Sequence, residues 1–367
     1  MWHRPRAMGA VPTAADAVRL GRSPNYRDGA FQNRSYDGRA PGAHRPGGRG
    51  IVRQWRERGP QQPAGAVPLV RGRAGETSDD LRLTWLGHAT TLVEIEGHAV
   101  LFDPVWSARC SPVPGVGPRR MHAVPMALAD LPALTAIVIS HDHYDHLDLA
   151  TVTALTRRQR APFVVPLGVG GHLRRWGVPE ERVIELDWDG HAELGALRLT
   201  STVAQHFSGR GLARNPTLWS SWVVAGQRRR VFYTGDTGYF PGFAEIGAAH
   251  GPFDATLVQV GAYGVSWPDI HMTPEDGLTA HRDVGGRLLV PVHWGTFSLA
   301  FHAWSEPVER LLSSAAKVGV PVAVPRPGQP IDVAAPPAVD HWWRAVASVP
   351  RPARLPIGEL VDAPQHP

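Results

Sequence analysis

His141, His143, Asp145 and His146 place four candidate metal ligands within six consecutive residues, His141-Asp-His-Tyr-Asp-His146. Imidazole nitrogen and carboxylate oxygen together suit zinc and its borderline-hard neighbours. The motif follows Thr135-Ala-Ile-Val-Ile-Ser140, a β-branched apolar run that predicts a buried strand. The ligands therefore sit on the turn beyond a strand's end, where side chains converge. His141 and His143 project one way from near-extended backbone, and Asp145 and His146 turn toward a second point nearby. Beyond them Leu149, Val152 and Leu155 recur at helical spacing, with Asp148 placed as N-cap. A strand-to-helix loop of this kind can hold half of a two-metal hydrolytic site.

Two metals about 3.5–4 Å apart need further ligands and a bridging carboxylate. Three more segments repeat the arrangement of a buried strand followed by a ligand on the turn. His206 follows the alternating run Leu197-Arg-Leu-Thr-Ser-Thr-Val203, and Asp236 lies in Gly235-Asp-Thr-Gly238 after Arg230-Val-Phe-Tyr233. His293 closes Leu288-Leu-Val-Pro-Val292. One such pairing is weak evidence, because polar residues often follow strands; four predict a layered sheet whose edge gathers ligands in a crevice.

This set resembles the metallo-β-lactamase superfamily: H-x-H-x-D-H, a later His, the Asp of G-D-T-G and a final His. Further segments are similar to the branch containing the phospholipase D that hydrolyses N-acyl-phosphatidylethanolamine, and its bacterial relatives. These are Thr84-Trp-Leu-Gly-His-Ala-Thr90, Leu101-Phe-Asp-Pro104, Trp219-Ser-Ser-Trp222, Gly235-Asp-Thr-Gly-Tyr239, Gly261-Ala-Tyr263 and His293-Trp-Gly-Thr-Phe297. The resemblance covers roughly residues 80 to 320. It implies an α/β fold, an αββα sandwich of two mixed β-sheets flanked by helices. It also implies two divalent metal ions per chain, Zn2+ by default with Mn2+ or Fe2+ as alternatives. His141, His143 and His206 would hold one ion, Asp145, His146 and His293 the other, with Asp236 between them. Asp236 stands where true β-lactamases commonly carry a Cys, and His143 where diiron members carry a carboxylate. Both departures favour a hydrolase.

The resemblance further implies that His271 assists substrate binding or proton transfer, so Asp145, Asp236 and His271 form the expected catalytic set. His271 precedes a helix start with Thr273 as N-cap and Pro274 at N1. Asp103 is expected to orient a ligand histidine, and His88, Tyr239, Tyr263 and Trp294 to support the site or touch substrate. Most aromatics in such a fold are core, so only a minority of Trp85, Trp219, Trp222, Tyr239, Tyr263, Trp267 and Trp294 should reach a ligand.

The ligands run from 141 to 293 in a chain of 367 residues, so one catalytic unit spans most of it. The expected division is an Arg/Gly/Pro-rich N-terminal extension over 1–78, a catalytic domain over 79–330 and a Pro-rich tail over 331–367. Residues 1–78 carry net charge +9 and the remainder −4. Gly, Pro and Arg over 39–50 read as an irregular arm, solvated or wrapped on the surface. Its functional reading is contact with anionic lipid; it lacks the interleaved aromatics of single-strand nucleic-acid binders, so no nucleic acid is expected. Cys110 is the lone cysteine, which excludes a disulfide framework. No apolar run of membrane-spanning length and no secretory signal is present, so the expected location is cytoplasmic, peripheral to the inner membrane surface. Trp342-Trp343 is expected to dock the tail onto the body.

Three functions fit these residues. The first is a dinuclear phosphodiesterase of phospholipase D type, acting on N-acyl-phosphatidylethanolamine-like or smaller diesters through hydroxide held between two cations. The second is a metal-dependent lactonase or amidase. The third, a non-catalytic metal- or membrane-binding protein, would be marked by a lost ligand, and none of the seven is lost.

Overall fold

The computed structural model describes residues 5–36, 58–72, 75 and 77–347. The 39–50 stretch and the tail beyond 347 lie outside the described residues. A short hairpin, β1 (Tyr26–Arg27) and β2 (Ala30–Phe31), precedes two larger sheets. The first sheet contains β3 (Leu81–Gly87), β4 (Thr90–Ile95), β5 (His98–Phe102), β6 (Ala136–Val138), β7 (Phe163–Pro166) and β8 (Val183–Leu186). The second contains β9 (His191–Leu194), β10 (Leu197–Thr202), β11 (Ser221–Ala225), β12 (Arg230–Tyr233), β13 (Phe253–Gln259) and β14 (Gly286–Val292). The last strand, β15 (Pro330–Asp332), returns to the first sheet beside β3. Strand order is β15-β3-β4-β5-β6-β7-β8 in one sheet and β14-β13-β12-β11-β10-β9 in the other. Each begins as antiparallel pairs and continues as parallel ones, with the switch at β5–β6 and at β12–β13. Both sheets are mixed, as expected from the resemblance.

Side-chain alternation explains why the first sheet is covered on both faces. Val100 and Phe102 of β5, Ala136 and Val138 of β6 and Val164 of β7 face a core shared with the second sheet. Their neighbours Ala99, Leu101, Ile137, Ile139, Phe163 and Val165 face a separate core. With both faces covered, these strands read as continuous apolar runs rather than alternating ones.

The separate core is closed by α2 (Leu149–Arg158) and α3 (Gly170–Arg175), through Val152, Leu155 and Leu173. These follow an N-terminal α1 (Ala14–Leu20). Asp148 caps α2 by accepting from the Thr151 amide, as its position predicts. The second sheet is flanked by α4 (Gly242–His250), α5 (Pro274–Asp283) and α6 (Glu306–Val318), which bury Phe243, Leu278 and Leu311 in the shared core. Thr273 and Asp276 form a reciprocal capping box at the start of α5, with Pro274 at its first position.

The described part of the 1–78 segment packs against the body. Leu20 and Phe31 belong to the shared core. The Trp176 indole donates to Arg6 O at 2.8 Å, and Arg210 Nε donates to Ala7 O at 2.9 Å. At the other end, α7 (Trp342–Ala347) docks on the body: Trp342 stacks on Trp294 at 5.5 Å, and Trp343 Nε1 donates to Glu309 at 2.7 Å. Among the described residues no helix is long and apolar enough to cross a membrane.

Candidate metal centre

The ends of β6, β10, β12 and β14 meet at one edge of the sandwich, and the turns beyond them carry His141–His146, His206, Asp236 and His293. The backbone there is tightly bent. Nine non-glycine residues have positive φ among those described, and His88 (55°), Asp103 (39°) and His293 (64°) are three of them. Each such residue costs about 1–3 kcal/mol, which the surroundings must offset. Here they interlock: the His293 amide donates to His88 O at 2.9 Å, and the His88 amide to Thr296 Oγ1 at 2.6 Å. Two glycines permit the approach. Gly235 has φ of 56°, and a Cβ on Gly261 would lie 2.1 Å from His293 O.

Three imidazoles form the first cluster. His141 Nε2 lies 2.8 Å from His143 Nδ1, which is 3.3 Å from His206 Nε2. The remaining nitrogens fix two of the tautomers. His206 Nδ1 faces the carbonyl of Ile270 at 2.9 Å and must donate to it, leaving Nε2 as a lone pair. Ser140 donates to the Asp103 carboxylate and so accepts from His141 Nδ1 at 2.9 Å, leaving that Nε2 as a lone pair too. Both lone pairs point toward His143 Nδ1, which has one proton at most to offer them, whereas a cation shared by the three nitrogens satisfies all of them.

Asp145, His146 and His293 form the second cluster, joined by His88. Asp145 Oδ2 lies 2.9 Å from His88 Nε2, 3.3 Å from His293 Nε2 and 3.4 Å from His146 Nε2. Asp103 is the orienting residue anticipated from its position: its Oδ2 accepts from His146 Nδ1 at 2.6 Å. Tyr233, at the end of β12, donates to the same carboxylate. His146 Nε2 and Asp236 Oδ1 are buried without hydrogen-bond partners.

Asp236 lies between the clusters. Its Oδ2 is 3.1 Å from His146 and His293, and 3.9 Å from His141, His206 and His271. Buried nitrogen and carboxylate donors on both sides of one carboxylate, several of them unpaired, match the donor set of divalent cations.

Burial and mutual charge set the protonation of this nest. Burial holds His141 and His206 well below the ordinary imidazole range, and the neighbouring imidazoles add to it for His141. Burial takes His88 down to about 3 and His271 to about 4. Burial also opposes charge on His146 and His293, but carboxylates outweigh it. Asp236, Asp145 and Asp103 hold His146 well above its usual value, and Asp236 with Asp145 raises His293 to about 8. Against their own burial, Asp145 and Asp236 are held well below the carboxylate range, by His146 foremost.

The other expected residues divide. His271 faces the centre and also lines a cavity of about 470 Å³ with Tyr263, Phe301, His302, Glu306 and Arg310. Tyr263 OH donates to Glu306 at 2.6 Å on the wall of that cavity. Trp294 is core: it is stacked on Trp85 at 5.4 Å, directly behind His293. Tyr239 is partly exposed and donates to Asp283 of α5. Trp85, Trp219 and Trp222 are fully buried, so of the expected aromatics Tyr263 is the one that lines the cavity beside His271. A larger cavity, about 1070 Å³ between Arg71, Arg120 and Met126, contains none of the ligand clusters.

Two supports carried no sequence signal. Asn33 brackets His206, its Nδ2 donating to His206 O at 2.8 Å and its Oδ1 accepting from the His206 amide at 3.0 Å. Asp142, inside the ligand motif, faces away from the centre, accepting from the Gly209 amide at 2.7 Å and pairing with His172 at 3.2 Å.

Comparison with known proteins agrees with this geometry. The model of the beta-lactamase superfamily domain matches residues 98–294. An uncharacterized protein of Mycobacterium tuberculosis is 52% identical over 93% of this chain and 92% of its own. The N-acyl-phosphatidylethanolamine-hydrolyzing phospholipase D 1 of Caenorhabditis elegans is 39% identical over 61% of this chain and 68% of its own. Among solved structures, Igni18, a metallo hydrolase from Ignicoccus hospitalis, aligns with a TM-score of 0.53 and 23% identity over 68% of this chain and 97% of that one. The chain belongs to the metallo-β-lactamase superfamily and is a metal-dependent hydrolase of that fold.

Proposed function

We propose that the protein is a dinuclear phosphodiesterase of phospholipase D type, acting on N-acyl-phosphatidylethanolamine-like diesters. The observation that carries this reading is Asp236, a single carboxylate with a three-imidazole cluster on one side and the Asp145–His146–His293 cluster on the other. His141, His143 and His206 would hold one ion and Asp145, His146 and His293 the second, with Asp236 touching both. The likeness to the nematode phospholipase supports the substrate class. Bound at such a site, divalent cations, Zn2+ by preference, supply Lewis acidity and bring the pKa of water to about 7.

The chain's own residues do the rest. His143, Asp145 and His271 are the partly open members of the nest, so substrate reaches the centre along their side. With its pKa at about 4, His271 is neutral at pH 7 and serves by positioning a phosphoryl oxygen through an N–H bond rather than by protonating the leaving group. The cavity beyond it, with the hydroxyl of Tyr263 on its wall, would receive one arm of the diester. Asp103 acts through His146, holding that ring's Nε2 toward the centre.

The test is a substrate panel on metal-loaded protein: N-acyl-phosphatidylethanolamine in mixed micelles, bis(p-nitrophenyl) phosphate and an acyl lactone. Release of phosphatidic acid and N-acylethanolamine supports the proposal. Turnover of the lactone alone replaces it with a carbonyl hydrolase.

A further inference from the structure

We infer that Asn33, far outside the ligand motifs, is a positioning residue for the His141–His143–His206 side of the centre. The N-terminal segment is then part of the catalytic unit. This inference rests on the dinuclear reading above.

His206 differs from the other histidines of the nest in how its backbone is held. His141 lies three residues beyond β6, next to Ser140, whose amide donates to Asp103 and whose carbonyl accepts from the Ser220 amide. His293 follows β14 directly, and its amide is bonded to His88 O. His206 instead lies inside the irregular connection between β10, which ends at Thr202, and β11, which starts at Ser221. Both backbone polar groups of His206 are paired with the carboxamide of Asn33, 173 residues away in sequence. The carboxamide acts as a peptide group from a neighbouring strand would, with Nδ2 donating at 2.8 Å and Oδ1 accepting at 3.0 Å. The same Oδ1 also accepts from Trp219 Nε1 at 3.0 Å, and that indole is in turn bonded to Ala204 O.

Asn33 is fixed from its own side as well. Two residues earlier the Phe31 amide donates to Asn215 O at 2.9 Å, and Asn215 Nδ2 donates back to Phe31 O at 3.0 Å. Phe31 itself is fully buried in the shared core. The segment therefore enters the fold as an extended stretch bracketing the two ends of the 206–215 loop. The His206 ring, oriented by Ile270 O through Nδ1, then needs only its backbone in register to aim Nε2 at His143 Nδ1. An amide clasp of this kind supplies that register, and partners that orient a ligand typically contribute 10–100-fold in metal affinity.

The experiment compares wild type, Asn33→Ala and Phe31→Leu by competition with a chromophoric chelator, by Co2+ ligand-field absorption and by thermal unfolding of metal-free protein. Phe31→Leu loosens the same segment through packing while keeping the carboxamide. Expected is a roughly 10–100-fold weaker affinity for one of two ions in Asn33→Ala, with an altered Co2+ spectrum and the other ion held as in wild type. Phe31→Leu should lower the unfolding temperature and leave the ratio of the two affinities unchanged. Wild-type affinity for both ions in Asn33→Ala overturns the inference, as does equal weakening of both ions in both variants, which marks Asn33 as an anchor of the segment only. A wild-type protein that binds fewer than two ions instead overturns the dinuclear reading on which the inference stands.

Discussion

The Asp103 carboxylate accepts from Ser140, Tyr233 and His146. Asp103→Asn keeps the shape but replaces one acceptor by a donor, so the His146 ring loses its tether. Metal affinity should fall roughly 10–100-fold, measured by chelator competition; a change of less than twofold contradicts the orienting role. Protonation gives a second prediction at this scale. In the metal-free nest His293 has a pKa of about 8 and His146 lies well above its usual value, so both rings carry a proton at pH 7. A cation must displace those protons. Loading at pH 7 should therefore release protons, and affinity should weaken as pH falls below about 8. Calorimetry in buffers of different ionisation enthalpy measures the release, and a pH-independent affinity between 6 and 8 contradicts it.

At the scale of elements, helix α5 starts two residues beyond Met272, whose amide is held by Thr237 O, so its capping box sits close behind His271. Thr273→Ala should lower stability by about 1 kcal/mol, read from urea unfolding of the metal-free protein, while metal content stays at the wild-type level. The local elements were legible in the sequence because their causes are local. Asp148 and the Thr273–Asp276 box are short-range hydrogen bonds. The strands before His141 and His293 are apolar runs because both faces of the sheets are covered. What joins distant segments was not legible. Asn33 and His206, or Asp142 and His172, meet only after the chain has folded, and neither pair has a spacing that signals it. Trp294 shows a different failure: its place beside His293 in the sequence pointed to the pocket, yet the alternation beyond β14 turns its ring into the stack with Trp85 and Trp342.

The centre joins the two halves of the molecule. His141 to His146 come from the first sheet, and His206, Asp236 and His293 from the second, so each ion would bind residues from both only in the folded state. An ion present at 1,000 times its Kd should then add about 4 kcal/mol to stability. Chelation should lower the unfolding temperature markedly, and an unchanged temperature contradicts the cross-sheet account. The most direct measurement is metal content of the purified protein together with hydrolysis of bis(p-nitrophenyl) phosphate, before and after chelation. The account predicts about two ions per chain, with activity lost on chelation and restored by Zn2+ or Mn2+. Protein prepared without chelators that contains no metal, or that hydrolyses the diester equally well after its metal is removed, contradicts it.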